Sequence, residues 1–177
     1  IAVEEIEDAL TDRIFKLAKE YQLGDPLDPA TKLGPMARED LRKTLHQQVL
    51  ASVAKGAHVL LGGEIPKQKG YYYPPTILTK VYPGMPAFNE ELFGPVISII
   101  VAKDESEAIM LANQSKYGLG AAVFTRDLVR GEQIATNEIE VGSCFVNGFV
   151  VSDPRLPFGG IKQSGFGREL SREGILE

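Results

Sequence analysis

The chain has 177 residues, 44% hydrophobic and 24% charged, enough for one ordinary globular domain with a sizeable core. Its 19 Lys+Arg against 24 Asp+Glu give a formal charge of -5 with neither sign gathered into a long run, which argues against nucleic acid or an anionic membrane as the main partner. Its longest apolar stretches, such as VISII at 96–100, are too short to cross a bilayer, the opening IAVEEIEDAL is acidic where a signal peptide would be basic, and a single cysteine rules out an internal disulfide and a cysteine-rich metal site. A cytoplasmic chain is the expectation. Because it opens on Ile directly into a helical pattern, it reads as a piece of a longer protein.

Ile6, Leu10, Ile14 and Leu17 recur at helical spacing with charged residues between them, so an amphipathic helix is predicted up to GDPLDP. The prolines and turn formers from Gly24 to Pro35 make a loop. Leu41, Leu45, Val49 and Val53 mark the buried stripe of a second helix, with Gly56 where a C-cap glycine belongs. HVLLGG and PTILTKV are strand candidates on either side of the aromatic run Tyr71, Tyr72 and Tyr73.

From residue 90 the pattern becomes regular. VISIIVA (96–102) reads as a fully buried strand, and DESEAIMLANQ (104–114) as a helix whose Asp104 and Glu107 have capping-box spacing. LGAAVFT (119–125) is a strand, DLVRGEQIATNEI (127–139) a helix weakened by Gly131, and SCFVN (143–147) a third strand. This alternation favours an α/β fold with a parallel sheet, whose ligands gather beyond the carboxyl ends of the strands, here the loops after Thr125 and Asn147.

His46 and His58 have no Cys, Asp or Glu at metal-ligand spacing, so structural or solvated histidines are expected and no metal. YGLGAA (117–122) and SGFGRE (164–169) are neither GxGxxG opening a helix in a βαβ unit nor a P-loop. Cys144 falls inside an apolar strand without a nearby His or Lys in sequence, which favours an inert thiol over a nucleophile.

Four stretches carry more. EELFGPV (90–96), YGLGAAVFT (117–125), VGSCFVN (141–147) and PFGGIKQSGFGRE (157–169) stand in this order and spacing. Together they resemble the NAD(P)-dependent aldehyde dehydrogenase superfamily, in the C-terminal part of its catalytic domain, over essentially the whole chain. The resemblance implies a Rossmann-like parallel sheet with flanking helices. It makes 1–177 a truncated catalytic domain, without the cofactor-binding domain and without the C-terminal strand used in subunit association. In this family a cysteine thiolate attacks the aldehyde, hydride passes to the nicotinamide, and a glutamate activates water. By resemblance both residues precede Ile1 and Cys144 is not at the nucleophile position, so no catalytic residue is assigned and the chain by itself is expected to be inactive.

What carries over is the other wall of the site. Glu91 takes the position that accepts hydrogen bonds from the nicotinamide ribose of NAD or NADP, and Phe93 packs on the nicotinamide side, unless it is a core aromatic. Asn147, Val150, Ser152 and Phe158 match positions lining the aldehyde tunnel. A serine five residues after that asparagine hydrogen-bonds the distal carboxylate in the succinate-semialdehyde branch, which SDPRLPFGGIK resembles most. Ser152 also reads as a turn former, and Arg155 as a surface charge. The glycines of PFGGIKQSGFGRE are expected to turn the chain at Gly159 and Gly160, and to allow close packing at Gly165 and Gly167 before a helix near Arg168. The implied partners are a small aldehyde and further copies of the chain, as dimer or tetramer. The competing expectation is a non-enzymatic folded module used for subunit pairing.

Overall fold

The computed structural model describes residues 1–176; Glu177, the end of the span read as a catalytic domain, lies outside the described residues. The chain forms two compact units, residues 1–108 and the residues from 109 on. Among the described residues no helix is long and apolar enough to cross a membrane.

In the first unit, β1 (Ala2–Val3) leads into α1 (Glu4–Ala18), and α2 (Glu39–Ala54) follows the predicted loop. Next come β2 (His58–Leu61), β3 (Thr76–Thr79), the short α3 (Pro86–Asn89), β4 (Val96–Ser98) and β5 (Val101–Ala102). The sheet order is β2-β3-β4, with β2 antiparallel and β4 parallel to β3, while β5 runs parallel to β1. Alternation along β3 sorts the core, because successive side chains of a strand leave opposite faces. Leu78 joins Leu45 and Val49 of α2, Tyr73 and Val81 in one cluster; Ile77 joins Ala18 of α1 and Ile99 in the other. The sheet is therefore covered by a helix on each face.

α4 (Glu105–Asn113) carries the chain into the second unit. There β6 (Tyr117–Gly118) pairs antiparallel with β9 (Ile161–Lys162), and β7 (Gly120–Val123) pairs parallel with β8 (Ser143–Val146) across α5 (Leu128–Asn137). α6 (Ser171–Leu176) closes the described chain.

The helix signals are realised in detail. After α2, the Gly56 N–H reaches Val53 O at 2.9 Å and the Ala57 N–H reaches Ser52 O at 3.0 Å, with φ of 108° at Gly56, which is a Schellman ending. Asp104 accepts from the Glu107 N–H at 2.9 Å, and Glu107 reaches back to the N–H of Lys103 at 2.7 Å, one residue before the cap. Asp127 caps α5 by accepting from the Arg130 N–H at 3.0 Å.

The α/β class holds, with a sheet pattern that is mixed: β2 and β9 run antiparallel to their partners. The run 96–102 is two strands rather than one buried strand. Its pairing changes between them, since the Ile99 N–H bonds Leu78 O and Ile100 O accepts from the Ala2 N–H, so β3 is exchanged for β1. The predicted stripe of α1 is only partly covered: Ile14 packs on the Ile77 cluster, but Ile6 is 50% exposed and Leu17 51%. On α2 the buried face is Leu45, Val49 and Ser52, while Val53 turns outward. The C-terminal helix starts at Ser171, not near Arg168.

Candidate functional site

Glu91 and Phe93 lie in the turn between α3 and β4 of the first unit. Pro86 starts α3 at a position where its missing N–H costs nothing, and the helix ends at Glu90, whose N–H bonds Pro86 O. Beyond it the chain turns tightly, the Gly94 N–H bonding Leu92 O and the Val96 N–H bonding Gly94 O, each at 2.8 Å. The Glu91 side chain is exposed, and among the described residues its carboxylate has no hydrogen bond or ion pair. A carboxylate so presented can accept from two hydroxyl donors at once. Phe93 is 67% exposed, so it is not a core aromatic; its ring face is available to a ligand or to another polypeptide surface.

The other candidates lie in the second unit, at and after the carboxyl end of β8. Asn147 adopts a φ of 52° and uses both ends of its amide: Oδ1 accepts from the Thr125 N–H at 2.9 Å and Nδ2 donates to Thr125 O at 2.8 Å. It fastens the ends of β7 and β8 together and sets the direction in which the following loop departs. Beside it the exposed rings of Phe124 and Phe149 meet edge to face at 6.2 Å. No sequence signal singled out this aromatic pair, because exposed and core phenylalanines look alike in a list of residues.

Val150 lies against Gly120, where an added Cβ would sit 2.6 Å from Val150 Cγ1. Ser152 is exposed, and among the described residues its hydroxyl makes no hydrogen bond. The next residues form a tight turn. Asp153 accepts from the Arg155 N–H and Nε at 2.9 Å and from its Nη2 at 2.6 Å, and the Leu156 N–H bonds Asp153 O. That fork holds the Asp153 carboxyl down at about 2. Arg155 is thus a surface charge with a local partner. A cleft lined by Cys144, Phe145, Val151, Asp153, Leu156 and Phe158 opens here, and Phe158 also borders a wider hollow with Leu119, Phe166 and Arg168. Of the four sequence candidates in this unit, Phe158 alone lines the cleft; Ser152 sits between two residues that do.

The glycine-rich run works differently from expectation. Gly165 and Gly167 carry the turns, with φ of 125° and 80°, whereas Gly159 and Gly160 are where neighbouring atoms crowd in. The Phe158 and Glu169 backbones bond each other in both directions at 2.8 Å, closing the run into a loop.

Cys144 is half-buried, and burial pushes its thiol up, the opposite of what a nucleophile needs. At pH 7.5 it is expected to react with iodoacetamide several-fold more slowly than glutathione does; labelling at or above the free-thiol rate would restore it as a reactive group. His46 is a structural partner, its Nδ1 3.2 Å from the hydroxyl of Tyr73. His58 stands near the Thr79 hydroxyl.

Comparison with known proteins identifies relatives over this whole span. Residues 1–177 match the aldehyde dehydrogenase family model. The chain is 50% identical over all 177 residues to a succinate semialdehyde dehydrogenase [NAD(P)+] of Escherichia coli strain K12, of which it covers 38%. It is 44% identical over its full length to the NADP(+) succinate-semialdehyde dehydrogenase of Deinococcus radiodurans, covering 37% of that protein. Among solved structures, Gox0499 superposes with a TM-score of 0.93 at 43% identity, over 98% of this chain and 38% of that one. Betaine aldehyde dehydrogenase from Staphylococcus aureus, in complex with NAD+, gives 0.92 at 34% identity, over 98% of this chain and 35% of that one. The chain thus spans little more than a third of the length of these relatives.

Proposed function

The chain belongs to the aldehyde dehydrogenase family, and we propose that it is part of an enzyme oxidising a short carboxylated aldehyde, succinate semialdehyde or a close analogue, with NAD or NADP. Aldehyde, water and oxidised cofactor give the carboxylic acid, reduced cofactor and a proton. The observation that carries this reading is the exposed Ser152 hydroxyl, which has no hydrogen-bond partner among the described residues, in a chain 50% identical to a succinate semialdehyde dehydrogenase.

The residues present fit the cofactor on one side. The exposed Glu91 carboxylate, without a partner among the described residues, suits a pair of ribose hydroxyls, and the exposed Phe93 ring suits the flank of a nicotinamide. When bound, NAD(P) supplies the hydride acceptor. Ser152 donates its hydroxyl proton to the distal carboxylate of the substrate, while Asn147, Val150 and Phe158 shape the wall along which the aldehyde lies. No residue of this chain is assigned as nucleophile or general base, so the 177 residues alone are expected to turn over no aldehyde. The same reading makes the whole protein a cytoplasmic homo-oligomer, a dimer or tetramer.

The test is NAD(P)H formation by the full-length protein offered succinate semialdehyde, glutarate semialdehyde and acetaldehyde with each cofactor. The carboxylated aldehydes should be preferred. Ser152→Ala should lower kcat/KM for them by about tenfold, as for loss of one hydrogen bond to a charged acceptor, and leave acetaldehyde little changed. Preference for acetaldehyde would remove the role given to Ser152. No turnover of any aldehyde would remove the enzymatic reading.

A further inference from the structure

The turn that carries Glu91 is held from one side by a single face of α2. Leu45, Gln48 and Ser52 are spaced three and four apart, so they line up along the helix. Ser52, fully buried, donates its hydroxyl proton to Gln48 O at 2.8 Å and accepts from the Ala87 N–H at 2.9 Å, anchoring the start of α3. Leu45, 1% exposed, fills the space beneath Gly94: a Cβ there would overlap Leu45 Cδ2 and lie 3.3 Å from Met36 Cε. Between these two anchors stands Gln48. Its Nε2 donates to the Glu90 carboxylate at 2.9 Å and to the Glu91 carbonyl at 3.2 Å, using both amide protons.

Glu90 and Glu91 are adjacent acidic residues in an otherwise open turn, and like charges side by side push a flexible backbone apart. The Gln48 amide opposes this by tying one carboxylate and the next carbonyl to the same nitrogen. With Ala87 bonded to Ser52 and Gly94 resting on Leu45, that bond adds a hold on the segment between them at Glu90 and Glu91.

We infer that Gln48 is a positioning residue for cofactor recognition, fixing the backbone of the Glu90–Glu91 turn so that the Glu91 carboxylate is presented ready to receive the ribose hydroxyls. The inference rests on the reading of Glu91 as ribose acceptor. Gln48 itself touches no substrate; it lowers the ordering cost of binding, because a turn already held in place loses less freedom when the ligand arrives.

The experiment uses the full-length protein and NADH and NADPH as probes, with Kd read from their fluorescence on titration into enzyme without aldehyde. Gln48→Ala should weaken binding of the preferred cofactor three- to tenfold and raise its KM in parallel, with the aldehyde KM and the melting temperature of the free protein unchanged. Gln48→Glu, facing Glu90 with like charge, should weaken it further. The exchange Gln48→Glu/Glu90→Gln should recover part of the loss, since donor and acceptor trade places. Glu91→Ala is measured alongside. If it weakens binding while Gln48→Ala does not, the positioning role is overturned and the Glu91 reading survives. If Glu91→Ala leaves Kd unchanged, the Glu91 reading falls and takes the positioning role with it. A Gln48→Ala effect on the aldehyde KM alone would likewise overturn the inference.

Discussion

Gly142→Ala is expected to cost at least about 4 kcal/mol, which places it among the most damaging single substitutions available to this chain. Gly142 enters β8, its N–H bonding Gly118 O at 3.0 Å, with the Ser143 N–H on Leu119 O at 3.2 Å. A methyl group there would overlap the Gly159 carbonyl oxygen, lie 2.9 Å from its carbon and 3.1 Å from Leu119 O. All three atoms are backbone, so no rotamer change relieves the overlap; the β8 entry and the glycine-rich run must separate. Packed backbones resist such movement, and an added carbon in a filled space forces shifts rather than being absorbed. Separation would also displace Phe158, next to Gly159, from the cleft wall. The control is Gly148→Ala, where the added carbon meets only Val146 O, at 3.8 Å. Urea unfolding followed by circular dichroism should show the first variant strongly destabilised and the second within about 0.5 kcal/mol of the parent. Equal midpoints would mean that the two backbones do not approach as described.

Tyr73→Ala should be of comparable size, about 4 kcal/mol, for a different reason. Tyr73 is 1% exposed and among the largest fully buried side chains, packed with Leu45, Val49, Leu78 and Val81. Its removal leaves a cavity those neighbours cannot fill without leaving their own rotamers, and it strands His46 Nδ1 without its partner. Tyr73→Phe keeps the ring and loses only the hydroxyl, which should cost about 1 kcal/mol. The pair also has a pH signature. Burial pushes the Tyr73 hydroxyl from 10.0 up to about 12. The folded state holds this proton more tightly than the unfolded state, so the contribution is fully present below pH 10 and is lost as pH rises through 12. The loss is on the order of 2 kcal/mol. Tyr73→Phe should remove that alkaline decline; an unchanged decline would place its origin elsewhere.

Much of the fold was legible because its signals are local. The Gly56 helix ending, the Asp104 and Glu107 cap, and the β7-α5-β8 order each depend on residues within one element or its immediate flank. β1, β6 and β9 leave no mark in the sequence because two residues carry no periodicity, and α3 leaves none because one turn of helix does not either. The run 96–102 looked like one strand because apolar composition does not show a change of partner.

The candidate site divides in the same way. Residues such as Glu91, Asn147, Ser152 and Phe158 belong to motifs, yet the motifs do not say that Asn147 spends its amide on Thr125 or that Phe93 is open to solvent. Gln48 carried no signal at all. Its bond to Glu90 spans 42 residues, and nothing in the composition of either segment pairs them.

By itself the amino-acid sequence determined the α/β class, the helix ends and the resemblance to the aldehyde dehydrogenases, since these follow from side-chain order along short stretches of chain. The tertiary structure alone decided which glycines turn and which merely yield space, which of the apolar stripes is covered, and which amide of α2 steadies the acidic turn. Those outcomes depend on where distant backbones pass one another, and a closest approach is a property of the folded path rather than of any local pattern.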